Sequence, residues 1–255
     1  AIIFSFVFWI IMSLLLREGL KELKKIETYG VIVIIAIILF TFFMFAGNLN
    51  PDNLSYNNSA NFFLPLGVVM FAMLGFTSIP EVKRELGKNT KSLKKAILIG
   101  TLIPLAIYII FITTAVGLLG RNVAPIATLS EGLGPFANLL GIFTMLTSYF
   151  VLSFSIKTMY QYDFKLGAKR SYLLATITPI VIFSIIKLFN IAGFIMVMGI
   201  GGVIAGGLTG ILAVLMNYKA KQGDVEPAYT IPINKFVIGI LILAFSAGIV
   251  LELFI

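Results

Sequence analysis

Eight apolar stretches, at about 1–16, 29–47, 62–82, 93–119, 136–159, 171–189, 191–216 and 235–255, alternate along the chain with short polar segments. Most have about the length that one helix needs to cross the hydrocarbon of a bilayer. The pattern predicts an all-α fold: a polytopic transmembrane helix bundle, with no separate soluble domain. One stretch departs from a smooth helix. Phe62 to Leu86 (FFLPLGVVMFAMLGFTSIPEVKREL) carries Gly75, Thr77, Ser78 and Pro80 where regular turns should continue. Proline lacks an N–H and clashes with the preceding turn, and glycine weakens a helix. Each backbone group freed in hydrocarbon costs several kcal/mol unless protein, water or ligand satisfies it.

A discontinuous helix at Gly75–Pro80 is therefore the first candidate site, because transporters use such opened backbone to hold solutes. Amides freed around Met73–Phe76 could meet a carboxylate, aided by the positive end of the half-helix that follows, with Phe71 and Phe76 as an apolar wall. A proline kink tolerated for packing would leave the same residues. Glu81 and Glu85, beside Lys83 and Arg84, read as ion-paired or solvated acids. Further on, Thr144, Thr147 and Ser148 place hydroxyls at adjacent positions one turn after a main-chain carbonyl, an oxygen set that suits a hard cation such as Na⁺. The same hydroxyls could instead bond back to helix carbonyls or join helices. Gly202, Gly206 and Gly210 recur every fourth residue and read as a face for close backbone packing.

Composition narrows the chemistry. The chain is 59% hydrophobic and 12% charged, and it contains no cysteine and no histidine. Without thiols, imidazoles or paired acids at membrane depth, an intramembrane enzyme is not expected. The net charge of +8 could suggest nucleic-acid binding, but the placement of the charges argues otherwise. All of the 19 Lys and Arg except Arg121 and Lys187 fall after the first, third, fifth and seventh stretches. The positive-inside rule then puts loops 17–28, 83–95, 160–170 and 217–234 in the cytoplasm of a multi-pass protein of the plasma membrane, with no nucleic-acid partner. Asn48 to Asn61 falls outside and holds two glycosylation-type triplets, at Asn53 and Asn57. Ala1 already lies within an apolar run, so the sequence is expected to begin mid-protein.

The segment FAMLGFTSIPEVKRELGKNTKSLKKAILIGTLIPLAIYIIF resembles the sixth and seventh helices of the amino acid–polyamine–organocation superfamily, most closely its aromatic amino acid and amino acid/auxin permease branches. TSYFVLSFSIKTMYQYDF resembles the eighth helix. The resemblance implies an inverted-repeat transporter fold of eleven helices, of which this chain supplies helices four to eleven and lacks the N-terminal part. Residues 1–47 would end the first repeat, 62–216 form the second, and 235–255 add a C-terminal helix, all in a single transmembrane transporter domain. By position, Phe71, Ala72, Met73, Gly75 and Phe76 would line the substrate site. The Thr144 carbonyl with the Thr147 and Ser148 hydroxyls would match the sodium site of sodium-coupled relatives. Proton-coupled relatives can instead place a lysine in helix five, and residues 29–47 contain none, although Lys25 is close. The expected function is secondary active transport of a neutral amino acid, aromatic or large and apolar, coupled to Na⁺ or H⁺ by alternating access. A sensor that binds amino acids on the same scaffold without moving them is the alternative. The expected partners are the amino-acid substrate, the coupling cation and the lipid bilayer, with no cofactor beyond Na⁺.

Overall fold

A computed structural model describes residues 2–17, 20–55, 57, 65–75, 79–87, 90–124, 126–222 and 234–254. Helices account for nearly all of them: α1 (Ile2–Arg17), α2 (Leu20–Phe45), α3 (Leu66–Ala72), α4 (Ile79–Leu86), α5 (Thr90–Leu119), α6 (Gly134–Tyr162), α7 (Ala168–Phe189), α8 (Phe194–Ala220) and α9 (Lys235–Phe254). No strand occurs among the described residues. α2, α5, α6, α7 and α8 each contain an apolar span long enough to cross a membrane, and α1 and α9 are shorter apolar helices. The protein is thus an all-α, multi-pass membrane helix bundle. Most large apolar side chains along α1, α5 and α7 lie exposed, as lipid-facing surfaces do.

The chain divides into two compact units: Ala1–Tyr56 with Ile107–Ile191, and Asn57–Ala106 with Ala192–Ile255. The division passes through α5.

The first unit is joined by bulky side chains and by side-chain hydrogen bonds to backbone. Met12, Leu16 and Phe150 form one buried cluster, with Phe8, Tyr149 and Tyr172 packed on it. Ile37, Ile38 and Leu140 form another between α2 and α6. The Trp9 indole N–H donates to the Thr176 carbonyl at 2.8 Å, and the Tyr172 hydroxyl donates to the Ser13 carbonyl at 2.7 Å. Both bonds tie α1 to α7. α2 meets α6 at Gly30, where an added Cβ would lie 2.5 Å from the Thr147 methyl. At the end of α5, the Gly117 carbonyl accepts from the Asn50 amide at 2.9 Å and from Asn53 Nδ2 at 3.0 Å. One orphan carbonyl of a helix terminus is satisfied in this way. It also engages the side-chain amide of the first glycosylation-type triplet. Asn58, in the second, lies outside the described residues.

The second unit is built on absent side chains. α3 and α9 both pack on α8. A Cβ at Gly202 would fall onto the Gly67 carbonyl oxygen and lie 2.8 Å from the Phe71 amide nitrogen. One at Gly206 would lie 3.3 Å from Met70, and one at Gly207 2.7 Å from Ile249. The recurring glycines are therefore a packing face, and they are needed for both neighbours. α3 has only seven residues, too few to hold together alone, so contact with α8 must stabilise it.

Gly202→Ala should cost about 1–3 kcal/mol, because the new methyl meets backbone that cannot rotate away. The measured melting midpoint should fall by several degrees. Gly100→Ala, where nothing lies within 4 Å of the added Cβ, should leave it unchanged or slightly raised.

Candidate functional site

The third apolar stretch is two helices rather than one. α3 ends at Ala72 and α4 begins at Ile79. Of the intervening residues, Met73, Leu74 and Gly75 are described, while Phe76, Thr77 and Ser78 lie outside the described residues. The hydrogen bonds tighten step by step as α3 runs out. The Met73 amide donates to Val69 at 3.1 Å and to Met70 at 3.2 Å, the Leu74 amide to Phe71 at 3.2 Å, and the Gly75 amide to Met73 at 2.7 Å. The closure shortens from four residues to three and then to two. A three-residue turn bends its N–H···O angle, so this last bond is the easiest to exchange for another acceptor.

Pro80 stands in the first turn of α4, where its missing N–H leaves no helix bond unmade. Gly87 closes α4 in the left-handed region (φ 55°), its amide bonded to the Lys83 carbonyl at 3.1 Å. The side chains of Glu81, Arg84 and Glu85, expected to be ion-paired or solvated, lie outside those described.

The residues expected to line a substrate site have different surroundings. Phe71 lies against α8: a Cβ at Gly201 would be 3.9 Å from its ring, and one at Gly202 2.8 Å from its Cβ. Ala72 is exposed, as is Gly75, around which nothing lies within 4 Å of an added Cβ. Met73 borders a pocket of about 200 Å³ beside the break. Met70 and Leu74 of α3, Gly206, Thr209, Gly210 and Ala213 of α8, and Phe245 of α9 complete its walls. The space exists because α8 presents glycine there. A Cβ at Gly210 would lie 2.6 Å from the Phe245 ring.

The candidate cation residues lie in the other unit, on α6. The Thr144 hydroxyl donates to Leu140 and Gly141, each at 3.0 Å. The Thr147 hydroxyl donates to Phe143 at 3.0 Å and to Thr144 at 3.1 Å. Ser148 is exposed. A donating hydroxyl keeps its oxygen lone pairs, so back-bonding to the helix and cation ligation are not mutually exclusive. The structure brings Thr144 and Thr147 into one hydrogen-bonded run and sets Gly30 of α2 against Thr147.

Sequence reasoning passed over Thr209, Phe245 and Gly30. Thr209 was legible in principle, since it lies beside the Gly202–Gly206–Gly210 repeat on the same helix. Phe245 and Gly30 carry no local signal, because each matters only through a partner far away in the chain.

The family model described as the tryptophan/tyrosine permease family matches residues 1–254. No curated protein and no solved structure gives a significant match.

The chain contains no cysteine, so single cysteines can report exposure without background. Met73→Cys, at a position 40% exposed, should react with a thiol reagent at least about tenfold faster than Val203→Cys, at a position 1% exposed. Mass spectrometry of the labelled protein measures both rates.

Proposed function

The chain belongs to the tryptophan/tyrosine permease family, and we propose that it carries a neutral aromatic or large apolar amino acid by Na⁺-coupled alternating access. Membership makes it an amino acid permease of the membrane, a transporter and not an enzyme. The proposal concerns cargo, coupling, route and orientation.

One observation carries the reading of the route: the backbone at Met73–Gly75 leaves the α-helix, and its hydrogen bonds shorten to the Gly75–Met73 closure. A carboxylate arriving at this point replaces a bent two-residue bond with charge-assisted bonds from backbone amides. The first turn of α4 adds the positive end of a helix dipole. Phe71, Ala72, Met73, Gly75 and Phe76 form the substrate-contacting run in this reading, and Gly75, Thr77, Ser78 and Pro80 keep the break open. Residues 1–47 and 62–216 belong to inverted repeats that rock about this point, and loops 17–28, 83–95, 160–170 and 217–234 face the cytoplasm of the plasma membrane.

Sodium is favoured over protons by what faces Thr147. The Thr144 carbonyl and the Thr147 and Ser148 hydroxyls offer hard oxygen ligands and no titratable group. The residue of α2 that abuts Thr147 is Gly30, which has no side chain to carry a proton. The contact is with the Thr147 methyl, so no α2 side chain brings a titratable group to this point.

Two substitutions test these roles in vesicles with imposed gradients. Gly75→Leu should abolish uptake while leaving the fold intact, since the new side chain enters space with nothing within 4 Å of its Cβ. Thr147→Val should raise the Na⁺ concentration needed for half-maximal uptake by about tenfold, equivalent to roughly 1.4 kcal/mol. Uptake that follows a proton gradient and ignores Na⁺ would refute the sodium reading. Cargo binding with no flux would make the protein a sensor on this scaffold.

A further inference from the structure

The pocket at the end of α3 is apolar except for one hydroxyl, that of Thr209. Hydroxyls within the long helices are mostly turned back on their own backbone. Thr41, Thr114, Thr144, Thr147 and Thr176 each donate to the carbonyl four residues earlier, at 2.7–3.0 Å. Thr209 faces the pocket, and its hydroxyl makes no hydrogen bond among the described residues. It is also the only hydroxyl among the described wall residues; Met70, Met73, Leu74 and Phe245 supply thioether, aliphatic and aromatic surface. Thr209 is half-buried, so its hydroxyl is free to bond a ligand, and a ligand that covered it without bonding would leave that capacity unfilled.

We propose that this pocket is the side-chain subsite of the cargo site, and that Thr209 determines specificity by hydrogen-bonding the single polar atom of an aromatic ring. The inference rests on the reading of Met73–Gly75 as the place where the cargo backbone is held. From there the pocket begins within the reach of one side chain, since Met73 and Leu74 belong to both. Its volume of about 200 Å³ is below the usual range for drug-sized ligands and suits a single ring system. The wall chemistry matches a flat apolar body with one donor at its edge, as in a phenol or an indole. Methionine sulfur contacts such rings favourably and adapts to more than one ring shape, so Met70 and Met73 can accept both. Gly206 and Gly210 are required because any larger residue would occupy the space or strike Met70 or Phe245. An aliphatic cargo would leave the Thr209 hydroxyl unpaired, and so would phenylalanine.

The test is uptake by the intact transporter in proteoliposomes, with tyrosine, tryptophan and phenylalanine supplied in separate assays. Thr209→Val keeps the shape and removes the hydroxyl, and Thr209→Ser restores it. In Thr209→Val, kcat/KM for tyrosine or tryptophan should fall about 10–100-fold relative to phenylalanine, the discrimination lost with one buried hydrogen bond. Thr209→Ser should recover most of that ratio, which a purely structural role for the methyl group would not produce. A Thr209→Val protein with the wild-type ratio of tyrosine to phenylalanine uptake would overturn the subsite. So would a ratio that changes equally in both variants. Wild-type protein that moves no amino acid would instead sink the transport proposal itself, which separates the two failures.

Discussion

Hydrocarbon offers nothing to a bare peptide group, so every backbone N–H and C=O within the bilayer must find its partner in the protein. Long helices meet this demand by their own ladders, and Thr41, Thr114, Thr147 and Thr176 close their hydroxyls onto the same ladders. The demand becomes acute where a helix stops. α3 stops after seven residues, and its end is drawn in by successively shorter closures at Met73, Leu74 and Gly75. Proline at the second position of α4 restarts the chain without leaving an amide stranded. An interruption of this kind is stable only when held from outside, and α8 does the holding.

The way α8 holds α3 explains why glycine is concentrated there. Without side chains at Gly202 and Gly206, the α3 backbone comes within contact of the α8 backbone, and many small dispersion contacts replace a few large side-chain ones. The first unit solves the same problem differently. Its helices are kept apart by Phe8, Tyr149, Phe150 and Tyr172 and fastened by the Trp9 and Tyr172 bonds to backbone carbonyls. Interlocked large side chains with buried hydrogen bonds resist sliding. A smooth glycine face resists it less, because no side chain must climb over another.

The outline of the architecture was legible from the chain. Five of the apolar stretches appear as helices long enough to span, α2 and α5 to α8, and two as the shorter apolar helices α1 and α9, while the interruption near Gly75 is written in residue types that disfavour a continuous helix. The four-residue glycine spacing announced a close-packed face. Other features were not legible. Asn53 reads as a modification site but bonds to the Gly117 carbonyl, 64 positions along the chain. Thr147 reads as a ligand or as a self-satisfied hydroxyl with equal ease. Gly30, its neighbour across the helix interface, could not be identified from spacing.

Composition and the rhythm of apolar residues determined that this protein lives in a membrane, is helical throughout, and has one helix that cannot run straight. Those conclusions follow from local energetics, since solvation of a side chain and the conformational preference of glycine or proline belong to a residue wherever it lies. Tertiary structure alone decided which helices touch, which hydroxyls keep a free hand, and that a ring-sized pocket opens beside the break. These depend on residues brought together from distant parts of the chain: Met70 with Gly206, Gly210 with Phe245, Gly30 with Thr147. Pairings of that kind leave no periodic trace, because packing couples surfaces in space while sequence orders residues along a line.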